Sequence, residues 1–255
     1  MNRIDKIFTD KNKKIFSIYF TAGHPSLNDT ATIIETLADS GVDMIEIGMP
    51  FSDPLADGPV IQESSKKALN NGMSIKVLFE QLKAIRTKVD IPLLLMGYFN
   101  PVYKYGIEAF CKKCAEVGID GLIIPDLPMD EYENKYKKLF LSNGLYNIFL
   151  VTPQTTDERL KKIDEVSNGF IYLVSSFSTT GSGKGIEGSK TYFERMKAKN
   201  LKNPTVVGFG IKDTATFNFA TTYANGAIIG TAFVKSLEAS GNLQEGIKKF
   251  VGNIR

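Results

Sequence analysis

The stretch ADSGVDMIEI, residues 38–47, closes a helix-like segment on Gly41 and then opens an apolar run interrupted by one charge, Glu46. It returns as AEVGIDGLII at 115–124, and YANGAIIG at 223–230 repeats the same order of helix end, glycine and apolar run. Glycine ends helices because it tolerates the left-handed conformation, and short apolar runs after such caps read as buried strands. Working outward from this unit, further strands are expected at FSIYFTA (16–22), DMIEIGM (43–49), IPLLLMGY (91–98), GLIIPD (121–126), YNIFLVT (146–152), FIYLVS (170–175), TVVGFG (205–210) and GAIIGTA (226–232). Between them lie segments with apolar residues at helical spacing, among them DTATIIETLADSG, IEAFCKKCAEVG and DERLKKIDEVSNG. Strand and helix in strict alternation imply a parallel sheet, and eight units in 255 residues fit a (β/α)8 TIM barrel better than a doubly wound sheet. No linker or change of composition divides the chain, so residues 1–255 are expected to form a single α/β barrel domain. The N-terminal RIDKIFTDKNKK is expected to add a helix that plugs the barrel bottom.

Composition narrows the chemistry. The 31 Lys and Arg nearly balance 28 Asp and Glu, leaving a net charge of +3 spread along the chain, which disfavours nucleic acid as partner. No apolar stretch approaches the roughly 18 residues of a membrane span, and the N-terminus carries no signal-peptide pattern, so a cytoplasmic location is expected. One histidine, two cysteines and no tryptophan disfavour disulfide scaffolds, metal centres and histidine-dependent triads. Carboxylates, hydroxyls and backbone are left to do the work.

Two connections are long: PFSDPLADGPVIQESSKKALNNGMS (50–74) after strand 2 and SFSTTGSGKGIEGSK (176–190) after strand 6. Both follow the strand ends where barrel enzymes place their sites. Alternation along strand 2 puts Met44, Glu46 and Gly48 on one face and Ile45 and Ile47 on the other, so Glu46 is expected to point into the barrel, where burial raises a carboxyl toward neutral pH. A Glu satisfied by buried backbone or water is the alternative. Asp57, in the rigid FSDPLADGP loop, can supply a second carboxylate across a small cavity; Asp53 reads more simply as a turn residue. Glycines after strands 6, 7 and 8 (Gly181, Gly210, Gly230), with Thr231 at a helix start, can present backbone N–H groups to a phosphate. Cys111 and Cys114 lie mid-helix and read as structural. His24 reads as a turn or cap residue, and Lys184, in a Gly/Ser loop, is a poor Schiff-base candidate.

At IEIGMPFSDPLADGPVIQ (45–62), with YFTAGHPS, MGYFNPVY, IIPDLP, VVGFGI and GAIIGTAFVK, the chain resembles the tryptophan synthase α subunit family along essentially its whole length. That resemblance implies retro-aldol cleavage of indole-3-glycerol phosphate to indole and glyceraldehyde 3-phosphate. It also implies an α2β2 hetero-tetramer in which indole passes to a β subunit carrying pyridoxal phosphate, with no cofactor or metal in this chain. By the same resemblance Glu46 is the acid/base, Asp57 binds the indole N–H, and Tyr172 stands beside the catalytic carboxylate. Tyr19, Ile61, Leu95, Leu127 and Phe209 are expected to wall the indole pocket, and Gly181, Gly210, Gly230 and Thr231 to hold phosphate. Thr180 is expected to contact Asp57 on loop closure, and Pro50, Asp53, Asn100 and Pro101 to face the β partner. Loop 6 departs from the family pattern, carrying Ser178 and Thr179 where Gly and Val are usual, and His24 stands where an acidic residue is usual. A stand-alone indole-releasing lyase and a non-catalytic phosphate-ligand-binding regulatory barrel are the competing readings.

Overall fold

The computed structural model describes residues 1–10, 12–175, 186–239 and 241–255. In chain order the elements are α1 (Arg3–Ile7), β1 (Ile15–Thr21), α2 (Asp29–Asp39), β2 (Met44–Gly48), α3 (Pro59–Asn70), α4 (Ile75–Leu82), β3 (Leu93–Met96), α5 (Phe99–Tyr105), α6 (Ile107–Val117) and β4 (Gly121–Ile123). There follow α7 (Met129–Glu131), joined through a π turn to α8 (Lys137–Ser142), β5 (Tyr146–Asn147), β6 (Leu150–Val151), α9 (Asp157–Val166), β7 (Ile171–Val174) and α10 (Lys190–Ala198). The chain ends with β8 (Thr205–Gly208), α11 (Thr214–Tyr223), β9 (Gly226–Ile229), α12 (Thr231–Ala239) and α13 (Leu243–Gly252).

All strand pairs are parallel, in the order β5-β4-β3-β2-β1-β9-β8-β7-β6. The two ends of that order are one interrupted strand. Ile148 N–H donates to Leu122 on one side and Phe149 C=O accepts from Tyr172 on the other, so the sheet closes into an eight-unit TIM barrel. The run 146–152, expected as a single strand, is thus split where it hands over between neighbours. The connection after β2 is also shorter than the sequence suggests: Pro59, whose missing N–H costs nothing at a first helical position, starts α3 inside the stretch expected to be loop.

Two apolar layers follow from the period of two along each strand. Ile45, Ile47, Leu93, Leu95 and Leu122 face the helices and join the large outer core. Met44, Leu94, Ile123, Ile148, Phe170, Tyr172, Val206 and Ile228 fill the barrel interior, closed below by Ile4, Ile7 and Phe8 of α1 and its end. The N-terminal segment is therefore the plug the sequence suggests, although its helix is only Arg3–Ile7.

The opening repeat has a structural meaning at the barrel bottom. Gly41 and Gly118 both adopt positive φ (87° and 77°), and the Asp two residues later turns inward to bind the preceding strand. Phe16 N–H donates to Asp43 at 2.8 Å and Leu93 N–H to Asp120 at 2.9 Å. Asn225 does the same for Thr205 N–H at 2.9 Å, so in the third copy Gly226 is the first strand residue and not the helix-ending glycine. Asp120 is further paired with Arg86 at 2.5 Å and Arg3 at 3.2 Å, and Asp43 with Lys13 at 2.6 Å and Arg255 at 2.8 Å. Among the described residues no helix is long and apolar enough to cross a membrane.

Candidate active site

Glu46 lies on β2 between Tyr19 of β1 and Leu94 of β3 in register, fully buried on the interior face. Neither carboxyl oxygen has a hydrogen-bond partner among the described residues. With nothing to compensate the loss of water, burial pushes its pKa up to about 8, which leaves it a neutral acid at neutral pH.

Tyr19, on the adjacent strand β1, and Tyr172, on β7 farther round the barrel, both lie within reach of its charge. Each tyrosine lies across a glycine on the neighbouring strand. A Cβ on Gly48 would fall 2.2 Å from the Tyr19 hydroxyl, and one on Gly208 would fall 2.0 Å from that of Tyr172. Only glycine lets rings of this size lie there. Burial raises both phenols, and the charges of Glu46 and Asp57 raise both further, so each tyrosine lies near both carboxylates.

Asp57 reaches the cavity from loop 49–58. Its N–H donates to Pro54 C=O at 3.0 Å, and its own C=O accepts from the Gln62 side chain at 2.9 Å, so the first turn of α3 ties the loop back onto itself. Its carboxylate accepts from the Tyr98 hydroxyl at 3.2 Å. Burial raises the Asp57 carboxyl, and the Tyr98 hydrogen bond opposes that rise.

The cavity these groups frame holds about 470 Å³, within the range of small-molecule sites. Tyr19, Asp57, Ile61, Tyr172 and Phe209 line it, and so do Gly210, Gly230 and Thr231. Glu46 lies beneath this lining and is not part of the cavity wall. At the other end α12 begins at Thr231, where its first N–H groups have no partner within the helix. Gly210 (φ 76°) turns the chain after β8 toward that end. A second chamber of about 60 Å³ shares Tyr19, Asp57, Met96 and Phe209 with the first and continues past Phe51 and Tyr98.

Two expected wall residues are elsewhere. Leu95 is fully buried in the outer core, because alternation from Leu94, which faces inward, turns it toward the helices; Met96 takes the wall position. Leu127 likewise packs into the outer core beyond β4 and lines neither chamber. Thr180 and Gly181 lie outside the described residues, as does Lys184. Pro50, Asp53, Asn100 and Pro101 lie at or near the surface of loop 49–58 and α5, which Ala56 N–H brings together by donating to the Tyr98 hydroxyl at 3.0 Å. The sequence reading missed Met96, Tyr98, Lys212 and Lys235. Met96 was recoverable by carrying the inward set across from Glu46, but nothing local marks Tyr98.

The remaining candidates are structural. Cys111 and Cys114 are buried in α6, and burial pushes the Cys111 thiol up to about 12, far from a reactive thiolate. His24 is buried with its Nε2 3.6 Å from Glu238, which also pairs with Lys67. Among the described residues no three His, Cys, Asp or Glu cluster to hold a metal.

Comparison with known proteins identifies the family. A family model described as tryptophan synthase alpha chain matches residues 6–253. The tryptophan synthase alpha chain of Flavobacterium johnsoniae is 62% identical over the whole of both chains, and that of Parabacteroides distasonis 50% identical over 98% of each. Among solved structures, the tryptophan synthase alpha chain of Legionella pneumophila superposes with a TM-score of 0.89 at 32% identity, covering 100% of this chain and 96% of that one. A structure of tryptophan synthase from M. tuberculosis superposes at 0.87 with 30% identity, covering 100% and 98%. The chain belongs to the tryptophan synthase alpha chain family.

Proposed function

We propose that this chain cleaves indole-3-glycerol phosphate to indole and glyceraldehyde 3-phosphate. The observation that carries the reading is Glu46, a neutral, unpaired carboxyl beneath a cavity whose rim holds Asp57 and whose far end is a helix start flanked by glycines. Asp57 accepts the indole N–H and stabilises the positive charge that grows as the ring becomes an indolenine. Glu46 delivers its proton to C3, and the resulting carboxylate takes the proton of the glycerol hydroxyl. The O–H electron pair left on oxygen becomes the π bond of the aldehyde carbonyl as the carbon–carbon bond breaks, and the electrons of that broken bond return to the ring. The protonated ring is the electron sink, so the step needs no lysine imine. Tyr172 packs beside the acid, and Tyr19, Ile61, Met96 and Phe209 enclose the ring.

Phosphate is held in this reading by the backbone N–H groups at Gly210, Gly230 and Thr231, joined by Gly181 of the long loop, with Thr180 meeting Asp57. Indole then passes to a β subunit that carries pyridoxal phosphate, in an α2β2 hetero-tetramer. Supporting a partner over a stand-alone lyase, Leu55 is 87% and Tyr103 63% exposed on the two segments that carry Asp53 and Asn100 and that the Ala56–Tyr98 hydrogen bond joins. The 255 residues act as one barrel domain in the cytoplasm. Mixing the chain with indole-3-glycerol phosphate, with and without a candidate β subunit, and following indole tests the proposal; no indole in either mixture overturns it.

A further inference from the structure

Tyr98 belongs to none of the roles above, yet it is the residue through which Asp57 is held. Its backbone is pinned on both sides: Gly97 N–H donates to Ile123 C=O at 3.0 Å, and Phe99 N–H donates to both carboxylate oxygens of Asp126 at 2.9 and 3.1 Å. Its ring packs against Phe51 of loop 49–58, centroids 5.1 Å apart. Its hydroxyl accepts the Ala56 N–H at 3.0 Å. A phenol has one proton, so with an N–H already directed at its oxygen, that proton is left to donate to Asp57 Oδ2 at 3.2 Å. The direction of the hydrogen bond is thus set by the loop itself.

Resting on the reading that Asp57 binds the indole N–H, we infer that Tyr98 is a positioning residue for the cleavage. Its hydroxyl occupies Oδ2, so that Oδ1, to which no described residue donates, is presented to the substrate. It also opposes the rise that burial gives the Asp57 carboxyl.

The groups that face Asp57 are few. Tyr19 of β1 and Tyr172 of β7 line the cavity with it, Glu46 of β2 lies beneath that lining, Lys212 and Lys235 line the far side, and Asp126 acts on Tyr98 from the loop after β4. Among the described residues only Tyr98 donates a hydrogen bond to the Asp57 carboxylate. Burial beside two carboxylates pushes the Tyr98 phenol up to about 12, so it remains a donor throughout the working range.

The test is Tyr98→Phe in the full chain, which removes one oxygen and keeps the ring against Phe51. Loss of a hydrogen bond to a charged group is expected to lower kcat about tenfold with little change in KM. The acid limb of the pH profile is expected to move up by about one pH unit. Titration of the Asp57 carboxyl by 13C NMR, assigned with Asp57→Asn, needs no turnover and is expected to show the same upward displacement even if the substrate assignment fails. A variant that folds less well gives lower yield or Tm but leaves the acid limb and the Asp57 titration in place. Either of two results overturns the inference: an unmoved acid limb and carboxyl titration, or a loss of kcat/KM carried wholly by a raised KM with kcat unchanged.

Discussion

Replacing Glu46 by Gln is expected to stabilise the protein, and by an amount that grows with pH. The carboxyl goes from 4.5 to about 8 on burial, and at 1.36 kcal/mol per pH unit that difference costs the folded state about 5 kcal/mol once both states are ionised. The sign follows from proton counting. Below about pH 4.5 folded and unfolded chains are both protonated and the residue contributes nothing of this kind. Between about 4.5 and 8 the folded state holds a proton that the unfolded state has lost, so stability falls as pH rises, by about 1.4 kcal/mol per unit, and levels off above the folded value. Glutamine has nearly the same shape and never ionises, so the difference between the two proteins isolates this residue while every other titration cancels. The assay is urea unfolding of wild type and Glu46→Gln from pH 5 to 9. A difference that widens by several kcal/mol across that range is a large fraction of a domain's stability and would show a site whose acid is kept at the expense of the fold. A difference that stays flat with pH would refute the burial argument for Glu46.

Other consequences are local. Gly48→Ala places a methyl 2.2 Å from the Tyr19 hydroxyl and is expected to force the ring into the cavity, lowering turnover more than tenfold and stability by about 1–3 kcal/mol; Gly252→Ala, which meets nothing within 4 Å, is the control. Asp120→Ala strips Arg86 and the Leu93 N–H of their buried acceptor and is expected to cost about 3–5 kcal/mol in chemical unfolding while kcat stays near wild type. Because cleavage begins with Glu46 protonated, turnover is expected to fall as pH rises through about 8, read from the basic limb of the pH–rate profile.

The inward position of Glu46 was legible because alternation is rigid: once Ile45 and Ile47 face the helices, Glu46 has nowhere else to point. Tyr19 follows from the same alternation, between the outward Ile18 and Phe20, and Phe209 from its place just after β8. Leu95 was misplaced because three consecutive leucines carry no polar residue to show which face is which, and only the register against β2 turns Leu94 and Met96 inward. The split of the fifth strand depends on the closure of the whole sheet, and at the start of α3 Gln62 reaches back to Asp57, a contact that the Pro59 signal alone does not record. Tyr98 was out of reach for a different reason. Its role rests on a loop that comes 42 residues earlier in the chain, between Ala56 and Tyr98, and no local pattern records that meeting.

The most direct measurement of the central claim is single-turnover release of indole from indole-3-glycerol phosphate by wild type, Glu46→Gln and Asp57→Asn, run with a candidate β subunit present. The two-carboxylate account predicts indole and glyceraldehyde 3-phosphate in equal amounts from the wild type and a fall of at least about 100-fold in each variant. Variants that release indole at near wild-type rates would contradict it.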